Sequence, residues 1–170
     1  MRVLRVLVAI AVSAAVGVAT AGCATAQQSD TAVAADQQTQ LDEYISPADL
    51  WGAEIMAQIP LDETATVYER LGGVRSTSSG SEEWPKYYFW SESVDLLLED
   101  ARTPTQLADD LEPWLGDEGW ETVDNGFLFG DDFFRRSYSR GEYSLTVEVY
   151  TVPAPSAQTL VFSIVAPDTD

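Results

Sequence analysis

Residues 143 to 150 constrain the fold most. Tyr143, Leu145, Val147 and Val149 alternate with Ser144, Thr146 and Glu148, the period of a strand that buries one face and wets the other. Such a strand needs neighbours of its own kind, and two flank it. Phe127 to Tyr138 precedes it through Ser139-Arg140-Gly141, and Thr159 to Ala166 follows it through Pro153-Ala154-Pro155-Ser156, both connections being rich in turn formers. Tyr87 to Leu98 is a further strand, because Tyr88, Trp90, Val94, Leu96 and Leu98 share one parity. Thr64 to Leu71 fits a strand by its Thr, Val and Tyr, with a short helix closed by Gly72-Gly73 as the other reading.

Two helices are expected. Ser46-Pro47-Ala48-Asp49 has the order of a helix start, with Ser as cap and Pro at the first helical position. Leu50, Trp51, Ile55 and Ile59 supply the apolar stripe, and Pro60 stops it. Thr103-Pro104-Thr105-Gln106 repeats the cap pattern before Leu107, Ala108, Leu111, Trp114 and Leu115, with Pro113 expected to kink or split the helix. This order of elements predicts an α+β domain over residues 45–170: a largely antiparallel sheet with helices packed on one face, in two layers.

What precedes the domain is of a different kind. Arg2 and Arg5 lead an apolar run from Val6 to Ala19, the form of an export signal. The run ends Val18-Ala19-Thr20-Ala21-Gly22-Cys23, with small residues directly before the chain's single cysteine. This junction resembles the lipobox of bacterial lipoprotein precursors. The resemblance implies cleavage of residues 1–22 and a diacylglyceryl thioether, with palmitate-type chains, on Cys23. Anchoring by more than one acyl chain is stable, at about 0.8 kcal/mol per buried methylene. Two other readings stand beside it: an ordinary secretory cleavage after Ala24-Thr25-Ala26, releasing a soluble protein from Gln27, and an uncleaved anchor. Residues 23–44, rich in Ala, Gln, Thr, Ser and Asp, read as a flexible tether.

Charge narrows the partners. The chain carries 28 Asp plus Glu against 9 Lys plus Arg, and loss of residues 1–22 removes two arginines and no acid, leaving about −21. Nucleic acid and anionic lipid surfaces repel such a chain. No His is present, which excludes imidazole-based triads and the commonest zinc sites. No metal-ligand spacing and no Gly-rich phosphate loop appears, and no cofactor is implied. The acids Asp109, Asp110 and Glu112, and Asp124, Asp131 and Asp132, read as solvated faces rather than calcium loops.

Two groups stand out as a binding surface. Trp84, Tyr87, Tyr88, Phe89 and Trp90 crowd one strand, whose alternation turns Tyr88 and Trp90 inward and leaves Tyr87 and Phe89 for a sugar or a partner protein. Arg135, Arg136 and Arg140 form a basic island, with Arg135 and Arg136 able to meet a carboxylate ligand or to pair with the chain's own acids. The signal, the acidic mature chain and the stretch Leu115-Gly116-Asp117-Glu118-Gly119-Trp120 before a strand meander together resemble the small lipoproteins of high-GC Gram-positive bacteria, which mostly have no assigned activity. The resemblance implies a place at the outer face of the cytoplasmic membrane and no mechanism; the leading expectation is a non-catalytic protein there, engaging an envelope protein or glycan. A carboxylate-dependent hydrolase or a solute-binding accessory protein is the alternative. Oligomeric state stays open.

Overall fold

Leu41, Tyr44, Ala48, Trp51 and Ile55 recur at steps of three and four, and this spacing keeps the chain helical well ahead of residue 45. In the computed structural model, which describes residues 22–77, 83–128, 132–151 and 158–170, helix α1 spans Gly22–Met56. Of residues 22–30 and 124–128 the backbone alone is described. Residues 1–21 of the expected signal 1–22, the turn 153–156 and Asp131 lie outside the described residues.

Contacts divide the chain into two units, Met1–Val33 and Ala34–Asp170. Of the first, residues 22–33 are described and are helical. The second holds the rest of α1 and all other elements. The expected tether is therefore corrected: residues 34–44 are folded. Leu41 is 2% exposed in the core. Gln37 donates to the Asp170 carbonyl at 2.8 Å, and the Asp170 N–H donates to Gln40 at 3.0 Å. Ala and Gln lend themselves to helix as readily as to a linker, and the burial of Leu41 decides between them. Ser46-Pro47 is likewise not a start; Pro47 lies inside α1, where the fully buried Ala48 and Ile55 hold the helix against the sheet. Leu50, counted in the stripe, faces solvent.

After a 3₁₀ turn, Leu61–Glu63, come β1 (Thr64–Val67), β2 (Leu71–Ser76), β3 (Lys86–Leu96), α2 (Pro104–Asp117), β4 (Glu121–Leu128), β5 (Phe133–Arg140), β6 (Tyr143–Tyr150) and β7 (Gln158–Val165). All described pairings are antiparallel, in the order β1-β3-β7-β6-β5-β4, with β2 sharing β1's side of β3. The run read as one strand from Phe127 to Tyr138 is the end of β4 and most of β5, a separate pair. Helix α2 begins with the full capping box of Thr103 and Gln106. Pro113 does not end it; Leu107, Ala108, Leu111 and Leu115 are buried and hold it down on both sides of the proline.

The core joins these helix residues to Trp90, Val94 and Leu96 of β3, Leu160, Phe162 and Ile164 of β7, Leu145, Val147 and Val149 of β6 and Tyr138 of β5. Every strand residue in that set points to one side. The domain is thus the α+β two-layer arrangement, with both helices on one face of the antiparallel sheet.

Candidate functional site

The other face of the sheet carries no helix among the described residues. Register fixes its rows. Ser137 stands opposite Thr146, Thr146 opposite Ser163, and Ser163 opposite Ser91, a line of hydroxyls across four strands. The neighbouring row runs Ser139, Ser144, Val165, Phe89, and the next Arg135, Glu148, Val161, Ser93. In a chain with 28 acids the hydroxyl row itself carries no charge across these four strands. Of the carboxylates on this face, Asp95 accepts from Tyr68 and Thr159, each at 2.6 Å, Glu148 accepts from Tyr150 at 3.0 Å, and Glu121 stands opposite Ser139 on the edge strand. The Ser91 hydroxyl donates to the Phe162 carbonyl at 3.0 Å and lies 2.9 Å from the Ser163 hydroxyl.

The expected binding residues do not form one cluster. Tyr87, Phe89 and Arg135 share the open face, but Phe89 and Arg135 lie three strands and four residues apart, about 19 Å at ordinary sheet spacings. The Arg75 guanidinium rests over the Phe89 ring at 4.5 Å. Arg136 is on the opposite face, its side chain 13% exposed, paired with Asp109 and Glu112 of α2. Adjacent strand residues face opposite ways, so only one of the two arginines could have joined the surface. Desolvation works against the Arg136 charge, yet its hydrogen bond to Asp109 and the two carboxylates outweigh it and raise its pKa. Arg140 stacks over Trp51 at 4.4 Å, and Trp51 meets Trp120 and Tyr143 edge to face. The acids of α2 are likewise spent on packing: Asp110 joins Glu63 on Arg102. Cys23 falls in α1, its side chain outside the described set. Among the described residues no group of three His, Cys, Asp or Glu could hold a metal ion, and no helix is long and apolar enough to cross a membrane.

Sequence reasoning missed a recess at this face, about 390 Å³, lined by Tyr68, Leu71, Ser91, Ser93 and Val161 with Glu69 and Glu92. A second recess, of about 100 Å³, lies between α2 and the turn at Gln58 and Ile59 that follows α1, around Arg102, whose guanidinium is already held by two carboxylates. Glu92 is of inward parity, level with Trp90 and Val94; burial raises its carboxyl pKa, with Arg70 pulling the other way. On that helix side Asp49 accepts from Tyr88 at 2.7 Å and pairs with Arg70 at 3.3 Å. Burial first, then that bond, pushes the Tyr88 phenol up to about 12. No signal short of the strand register could have brought residues 68, 93 and 161 together. Comparison with family models, with curated proteins and with solved structures finds no match.

Proposed function

We propose that the chain is a lipid-anchored, non-catalytic binding protein of the bacterial cell envelope, held at the outer face of the cytoplasmic membrane through Cys23 and engaging an envelope component with the open face of its sheet. The observation that carries the reading is the row of hydroxyls, Ser137, Thr146, Ser163 and Ser91, that crosses four strands at the centre of the helix-free face. The anchor rests on the junction Thr20-Ala21-Gly22-Cys23. A protein this acidic gains nothing from anionic headgroups, so covalent attachment supplies what electrostatics withholds.

Two measurements test this. Intact mass of the membrane-extracted protein, beside a Cys23→Ser variant, is expected to show a chain starting at Cys23 with added acyl mass that the variant lacks. A chain starting at Gln27 would overturn the anchor. Capture of isolated envelope fragments on the mature protein is expected to fall when Thr146→Lys and Ser163→Lys charge the centre of the open face. Unchanged capture would overturn the surface. Release of cleaved glycan, abolished by Glu92→Gln, would replace the reading with a carboxylate-dependent hydrolase, which the raised Glu92 carboxyl favours.

A further inference from the structure

Strands β1 and β2 lie along the same side of β3, and the chain between them carries one residue too many. Val67 stands opposite Val94 and Leu71 opposite Ser91. Tyr68, Glu69 and Arg70 therefore face only Glu92 and Ser93, with the Tyr68 N–H donating to the Ser93 carbonyl at 3.0 Å. Such a bulge bends its strand and re-aims the side chains on either side. Here Tyr68 and Leu71 rise as the two walls of the 390 Å³ recess, 47% and 66% exposed, over a floor of Ser91, Ser93 and Val161. That volume is within the range of small-molecule sites.

The Tyr68 wall is held in place. Its hydroxyl donates to Asp95, whose other oxygen accepts from Thr159, so the ring stands at the sheet edge with its orientation set before any ligand arrives. The Asp95 bond, with the nearby negative charge, also raises the Tyr68 pKa and keeps the phenol neutral. Two exposed apolar walls, an uncharged floor and the Ser93 hydroxyl, which can both donate and accept, describe a ligand that is flat, apolar on its faces and hydroxylated round its edge. Glu69 and Glu92 line the recess as well, and they exclude anionic ligands. An amine could meet those carboxylates but would leave both apolar walls and the hydroxyl's donor proton unused.

We propose that this recess is a saccharide subsite, taking one pyranose ring of a neutral glycan against Tyr68. The proposal rests on the reading of the open face as a binding surface and names what that surface takes. The ring stacks on the Tyr68 face, as apolar faces stack on aromatic platforms elsewhere; its edge hydroxyls bond Ser93 and Glu69. The rest of the glycan follows the hydroxyl row toward Ser163 and Thr146.

The test titrates cellotriose, chitotriose and maltotriose, with putrescine and inorganic phosphate beside them, into the mature membrane-extracted protein, reading calorimetric heat and saturation transfer to ligand protons. At least one trisaccharide is expected to bind, with transfer strongest to ring C–H protons. Tyr68→Ala is expected to weaken it at least ten-fold, Ser93→Val several-fold and Tyr68→Phe, which keeps the ring and drops the Asp95 bond, by an intermediate factor, with urea midpoints showing that each variant folds. Equal affinity in Tyr68→Ala would overturn the subsite, as would putrescine or phosphate binding in place of sugar. No sugar binding with envelope capture intact would overturn the subsite and leave the binding surface standing. Loss of both would overturn the two together.

Discussion

Gly52→Ala is the sharpest test of how α1 lies on the sheet. A Cβ at position 52 would stand 2.2 Å from Cε2, 2.4 Å from Cδ2 and 2.6 Å from Cζ2 of Trp90, where carbon atoms in contact keep about 3.5 Å or more. Trp90 is 1% exposed and has no space to swing into, so helix or ring must move by more than about 1 Å. Overpacking of this kind costs about 1 to 3 kcal/mol, and three short contacts to a rigid ring place it toward the upper end. Alanine returns about 1 kcal/mol through its helix propensity. The net expectation is a loss of about 1 to 2 kcal/mol. Gly116→Ala is the matched control: it lies within α2, and an added Cβ meets nothing within 4 Å. There propensity acts alone and stabilises by up to about 1 kcal/mol. Urea unfolding of the two variants is therefore expected to give midpoints on opposite sides of the parent with a common slope. Gly52→Ala as stable as Gly116→Ala would refute the close passage of α1 over Trp90.

Leu41→Ala is expected to cost about 2 to 5 kcal/mol in the same assay, as a buried leucine does, whereas a residue in a flexible tether would cost less than about 0.5 kcal/mol. Glu63, whose carboxyl is held below its usual pKa mainly by hydrogen bonds from Arg102, contributes stability that is present above its unfolded value of about 4.3 and lost as pH falls through the lower folded one. Thermal midpoints followed downward from pH 7 are expected to drop less steeply for Glu63→Gln than for the parent in that acid window; parallel curves would count against the pair. Glu92 has the opposite sign, since burial raises its folded pKa: its protonated form favours the fold at low pH, and the advantage is lost as pH rises through the folded value. Glu92→Gln is thus expected to raise the melting temperature at pH 7 and to leave it unchanged near pH 3.5, and an equal shift at both would refute the assignment.

The strands were legible where burial imposes a strict period. Tyr143 to Tyr150 and Thr159 to Ala166 became β6 and β7 within a residue, because each buries one face against the helices and no slip is tolerated. The capping box at Thr103 was legible for a local reason, two side chains satisfying two backbone groups three residues apart. The reach of α1 was not, because local grammar and tertiary contact disagree there. Ser46-Pro47 has the chemistry of a helix start, but Leu41 and Tyr44 one turn earlier pack against the sheet and Tyr143, and burial outweighs the lost proline donor. The boundary between β4 and β5 was hidden by aromatics on both sides of Gly130, which read as one run. Of the expected surface residues, Tyr87 and Phe89 lie by alternation on the face away from the helices, and the same alternation separates Arg135 from Arg136. Tyr68, Ser93 and Val161 could not be joined from sequence, because their meeting depends on a one-residue bulge and on two long-range pairings.

The position of the recess within the topology makes it a reporter of the whole fold. Strands β1 to β3 form one half of the sheet and β4 to β7 the other, and the halves meet where β3 pairs with β7 over eight residue pairs from Phe89–Val165 to Leu96–Gln158. Ser91 and Ser93 of the floor come from one side of that seam and Val161 from the other. The recess is complete only when the seam is closed, and the seam closes only after α2 has carried the chain from β3 to the far edge at β4 and three successive antiparallel pairings have returned it. A ligand of this recess binds the folded chain and not the unfolded one, so at ten times its Kd it stabilises the domain by about 1.4 kcal/mol. Trisaccharide-induced stabilisation that disappears in Tyr68→Ala would locate the ligand at the seam. A weakly bound sugar would still register by this route, because the linkage depends on the ratio of its concentration to its Kd and not on affinity alone.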